Sequence, residues 1–124
     1  MLERKMSWYS NLINSNRSTT EFMKERFKNA KFEIVEQHER DGTIVRESRF
    51  VLEGKPLIIS RVFIPMDNSP AFLEQVRNRS MPLGDIIKEN EYNVQRKVLS
   101  RDRSSKHYTI DGDVRAEVWE TYLG

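Results

Sequence analysis

The sequence predicts an α+β domain in which helices pack on one antiparallel sheet of about six strands. Three observations carry that expectation. Short extended runs fill residues 31–65, broken at Asp41-Gly42 and Glu53-Gly54, where tight hairpins need residues that tolerate positive φ. Two helical stretches follow Ser69-Pro70 and Pro82, and a second set of extended runs closes the chain after Asn93. The order is helix, three strands, two helices and three strands, which brings sheet neighbours together through short connections.

The first helix starts near Thr19. Ser18-Thr19-Thr20-Glu21 has capping-box spacing, and Phe22, Met23, Arg26 and Phe27 then form one stripe. An earlier short helix is read over Leu2 to Leu12, with Ser10 to Ser18 as a polar connection. KFEIVEQHE, IVRESRFVL and PLIISRVFIP make a three-stranded meander. The third run, Leu57 to Ile64, is apolar on both faces apart from Ser60 and Arg61, so it reads as a central strand covered on each side.

After Ser69-Pro70, Phe72, Leu73 and Val76 share one face of a helix, and PLGDIIKEN continues as a second. Asn93 to Leu99 reads as a fourth strand and SRDRSS as a polar loop. Lys106 to Ile110 then turns at Asp111-Gly112-Asp113 into the last strand, VRAEVWETYL.

With 124 residues, 37% hydrophobic and 32% charged, the chain suits one domain with a modest core, taken here as residues 1–124. Twenty-one basic residues against nineteen acidic give a formal charge of +2, without a Lys/Arg block of the kind nucleic acid requires. No cysteine is present, which removes disulfides, thiolate catalysis and cysteine-built zinc sites. No apolar stretch reaches a membrane span, and MLERKMSWYSNLINS lacks the core of a secretion signal. A cytoplasmic protein is expected, monomeric or weakly dimeric.

Two charged residues sit on the wrong faces for solvent. Alternation in TIVRESRFVL aligns Arg46 with Ile44, Ser48, Phe50 and Leu52, the more apolar face. In the last strand it aligns Glu120 with Val114, Ala116, Val118 and Tyr122. A guanidinium removed from water needs an anion, and a desolvated carboxyl is prepared for proton transfer. Two readings follow: a buried Arg46–Glu120 ion pair, or a closed pocket in which Arg46 holds a ligand carboxylate.

Arg96 repeats the pattern between Val94 and Val98 and reads as a snorkelling residue on an edge strand. His38 and His107 are separated and lack matching carboxylates, so no metal site is expected. Trp8, Tyr9 and Trp119 read as core or edge aromatics.

The stretches RESRFVLEGKPLIISRVFIP, MPLGDIIKENEYNVQRKVL and DGDVRAEVWETYL, from about Thr19 to the end, resemble chorismate pyruvate-lyase. Arg46-Glu47, Gly54-Lys55-Pro56 and Ile64-Pro65 match that family in order and spacing, Pro82-Leu83-Gly84 follows in the family's order ahead of a short helix, and Gln95-Arg96 stands where it has Thr-Arg. The resemblance implies a six-stranded antiparallel sheet enclosing its ligand under helical flaps. It also implies a cofactor-free lyase that converts chorismate to 4-hydroxybenzoate and pyruvate. Carried over, Arg46 pairs with the ring carboxylate, the Leu83 amide donates to the ligand, Glu120 is the acid/base group, and Thr19 lines the pocket. Arg96 joins them as a further binding residue.

The chain departs from the family after Leu99, where SRDRSSK is shorter and more charged and Ser100-Arg101 replaces Ile-Gly. The step from Gly112 to Glu120 is one residue longer, which leaves Glu117 as a substitute on the wrong face. The alternative is a non-catalytic domain that binds a small carboxylated molecule, similar to the UTRA effector-binding domains of bacterial repressors. The roughly 30 residues before the first strand are too few for their winged helix-turn-helix.

Overall fold

Alternation sorts the side chains of the central strands. In β2 (Thr43–Leu52) residues Ile44, Arg46, Ser48 and Phe50 are buried, and in β6 (Ala116–Tyr122) so are Ala116, Val118, Glu120 and Tyr122. The computed structural model describes residues 7–78 and 80–124. Its other strands are β1 (Lys31–Arg40), β3 (Lys55–Pro65), β4 (Val94–Arg101) and β5 (Ser105–Gly112). All pair antiparallel in the order β1-β2-β3-β6-β5-β4, so the expected six-stranded α+β sheet is present.

Among the described residues four helices accompany it: α1 (Ser10–Ile13), α2 (Thr19–Arg26), α3 (Pro70–Arg77) and α4 (Leu83–Glu89). The Ser18 side chain accepts the Glu21 amide at 3.3 Å and starts α2 as expected, while the Glu21 side chain pairs with Lys88 at 3.5 Å. The Ser69 side chain caps α3 in the same way, with Pro70 in the first turn. Of the helix expected over Leu2 to Leu12, residues 2–6 lie outside the described residues, and the described part holds the single turn α1. Ser10 to Ser18 is more than a polar connection, because Leu12 and Ile13 within it are buried.

The inward strand residues and the helices form two apolar clusters. One joins Ile44, Val62 and Ile64 to Phe72, Val76 and Ile86 of α3 and α4. The other joins Phe50, Ile58 and Tyr122 to Leu12, Phe22 and Met23 of α1 and α2. Among the described residues, the opposite face of the sheet carries no such cover. Ile59 and Trp119 are 42% and 40% exposed there, so β3 is central but buried on one side only, contrary to its apolar sequence. Phe63 and Trp119 shield one another edge to face on that surface, with ring centroids 5.2 Å apart.

Candidate functional site

Arg46 faces inward and is 1% exposed. Its partners among the described residues are not acidic. Nε donates to Gln37 Oε1 at 2.8 Å, Nη1 to the Met81 carbonyl at 2.9 Å and Nη2 to the Val76 carbonyl at 3.0 Å. Val76 lies in the last turn of α3, where helix carbonyls carry partial negative charge and serve a guanidinium well. Gln37 Nε2 donates to the same carbonyl at 3.0 Å. Among the described residues no ion pair joins Arg46 to Glu120, so the first of the two readings does not hold; acceptors from β1, α3 and the α3–α4 connection stabilise the cation instead.

Glu120 is 3% exposed. Oε1 accepts from the Thr19 hydroxyl at 2.9 Å and the Tyr122 hydroxyl at 2.6 Å, and Oε2 accepts from the Tyr108 hydroxyl at 3.0 Å. Burial, then the adjoining Glu120 charge, raises the pKa of both tyrosines and keeps them protonated donors. Thr19 sits at the start of α2, directly after the Ser18 cap, so the helix start fixes its hydroxyl against β6.

Lys106 pairs with Glu120 in the β5–β6 register and is 3% exposed. Its Nζ donates to the Leu12 carbonyl at 2.8 Å and the Ser15 carbonyl at 3.2 Å. Desolvation lowers its pKa, with Glu120 opposing that shift.

Arg46, Glu120, Thr19, Leu83 and Arg96 all line one cavity of about 40 Å³ between the sheet and the starts of α2 and α4. The space holds about three waters at roughly 10–15 Å³ each. Arg96 opposes Ile110 across β4–β5 and is half-buried. It also lines a groove outside the cavity, shared with Ser18 and Gly84. Arg96 makes no hydrogen bond or ion pair with a described residue, so its role differs from that of Arg46. Leu83 is the first residue of α4, a turn that no side chain caps.

Strand alternation marked Arg46, Glu120 and Arg96, and the family resemblance supplied Leu83 and Thr19; all five line the cavity, whereas Gln37, Lys106 and Tyr108 were missed and Tyr122 was read only as an inward neighbour of Glu120. Lys106 and Tyr108 share the inward parity of Ile110, a signal of the same kind that marked Arg46. Gln37 gave none. A bulge between Ile34 and Glu36 leaves Val35 55% exposed and turns Gln37 inward, reversing the strand's parity.

His107 stacks on Trp119 with centroids 4.0 Å apart, and its Nε2 lies 2.7 Å from Glu117 Oε1 on the outer face. Glu117 is therefore engaged away from the cavity, as its parity requires. Among the described residues no group of three or more metal-ligating side chains forms, and no helix is long and apolar enough to cross a membrane.

No family model and no curated protein matches the chain. Among solved structures it is similar to the ligand-binding domain of a protein described as a GntR-family transcriptional regulator from Bordetella bronchiseptica. Identity is 13%, over 76% of this chain and 85% of that one, with a TM-score of 0.46. The likeness is a loose one of fold.

Proposed function

We propose that the chain is a non-catalytic binding domain for a small carboxylated molecule, held in the cavity between the sheet and the starts of α2 and α4. The observation that carries this reading is Arg96, a half-buried guanidinium on the cavity wall without a described partner. A carboxylate is the group that a planar fork of donors recognises best, through paired charge-assisted hydrogen bonds. Leu83 supplies a backbone donor at the start of α4, and Glu120 offers its remaining acceptor capacity to a ligand hydroxyl.

The lyase reading asks Glu120 to exchange a proton with the substrate and Arg46 to hold the ring carboxylate. Both groups are already engaged, Glu120 by three hydroxyls and Arg46 by Gln37 and two carbonyls. That engagement favours binding over turnover.

Calorimetric titration with acetate and with 4-hydroxybenzoate, beside a pyruvate-release assay on chorismate, separates the two. Saturable binding that Arg96→Gln abolishes, without pyruvate release, is the expected result. Pyruvate formation in proportion to enzyme overturns the non-catalytic reading, and absence of any binding overturns the site itself.

A further inference from the structure

The cavity is too small for a ring and its substituents, which directs attention to what adjoins it. Beside it, against α2, lies a second pocket of about 130 Å³. Met23, Phe27, Ala30, Phe32 and Phe50 give it an apolar wall. Lys24 and Asp85 also line it, and their 2.6 Å ion pair joins α2 to α4.

Three residues, Phe32, Phe50 and Pro82, line both spaces and so form the partition between them. Phe32 and Phe50 are cross-strand partners in β1 and β2, with centroids 5.4 Å apart and planes tilted by 58°. An aromatic pair in that arrangement can part by side-chain rotation without breaking a hydrogen bond. An apolar cavity of about 150 Å³ accepts a benzene ring, so the second pocket has nearly the volume of a ring or short acyl chain.

We propose that this pocket takes the apolar tail of the molecule whose carboxylate Arg96 holds, which makes the ligand a monocarboxylate bearing an aryl or short alkyl group. The inference rests on the binding reading above. The head stays at the Arg96 wall, and the tail crosses the Phe32–Phe50 partition into the space beside Met23. Burying each further methylene there strengthens binding, whereas a ligand confined to the polar cavity gains nothing from added length.

The test titrates the ω-phenylalkanoates from phenylacetate upward, with acetate beside them, into the wild-type chain and into Ala30→Leu and Ala30→Phe. In the wild type, affinity is expected to rise about fourfold per added methylene, the factor that about 0.8 kcal/mol per buried CH₂ gives. Both substitutions flatten that rise and leave acetate, which has no tail to place, unaffected. A flat wild-type series with intact acetate binding overturns the tail pocket alone, as does a rise that survives both substitutions. If no carboxylate binds, the cavity reading falls and takes this one with it. Should both variants unfold, the Met23 methyl resonance in the wild type decides: it shifts on titration with the longer homologues if the tail enters, and stays fixed if it does not.

Discussion

Lys106 and Glu120 are cross-strand partners on β5 and β6, both nearly sealed from water, yet they do not form an ion pair. The ammonium reaches back to the Leu12 and Ser15 carbonyls and fastens α1, while the carboxyl collects hydroxyls from Thr19, Tyr108 and Tyr122. Because burial lowers the lysine's folded pKa, the unfolded chain binds more protons between that lowered value and the ordinary 10.5. Stability therefore rises with pH through that window. Lys106→Met should remove this rise and, by leaving carbonyls of the α1 segment short of a donor, cost about 1–2 kcal/mol at neutral pH. Urea unfolding of both proteins across alkaline pH checks the slope and the offset.

The two inward arginines should separate in their effects. Arg46→Met removes a cation that ties β2 to β1, α3 and Met81, and leaves buried acceptors without their donor. A loss of about 3 kcal/mol in unfolding free energy is expected, and lysine should not restore it because one ammonium cannot span the fork. Arg96→Gln should cost under about 0.5 kcal/mol, as surface changes do, while weakening carboxylate binding more than tenfold. Equal stability losses for the two would contradict the division of labour.

Strand periodicity makes the inward placement of Arg46 and Glu120 legible before any coordinates, because a residue's face depends only on its parity. Their partners are not legible that way. Val76 and Met81 lie 30 and 35 residues from Arg46, and which carbonyl meets the guanidinium is set by where α3 ends. Gln37 was hidden by a bulge that local sequence does not announce. The apolar outer side of β3 misled in the other direction. Ile59 reads as core by composition, and only the placement of all the described helices against the opposite face leaves it exposed.

Tyr108 and Tyr122 give a second pH dependence of opposite sign. Their folded pKa values are raised above the ordinary 10.0 by burial and by Glu120. The stability this contributes is complete below 10.0 and is lost as pH climbs beyond it, since the unfolded chain releases protons that the folded chain keeps. Tyr122→Phe should soften that alkaline fall, although it lowers stability at neutral pH by removing a donor to Glu120. Denaturation midpoints on either side of this point, compared between the two proteins, read the difference in slope.

Gly84 decides how closely α4 approaches α2. In an ordinary helix Gly→Ala stabilises by about 0.5–1 kcal/mol, since alanine loses less backbone entropy on folding. Here an added Cβ would lie 2.6 Å from Thr20 Oγ1 and 2.9 Å from both Ser18 Oγ and Thr20 Cβ. Those atoms belong to the start of α2, so one of the two helices must move, and with it either Leu83 or Thr19 on the cavity wall. The steric term exceeds the propensity gain, and Gly84→Ala should destabilise by about 1–3 kcal/mol, the range for overpacked sites. Thr20→Ala in the same chain removes the nearest oxygen and should recover part of the loss, a coupling of at least about 0.5 kcal/mol in a double-mutant cycle. Additive behaviour of the two substitutions would mean that α2 and α4 do not meet where Gly84 places them.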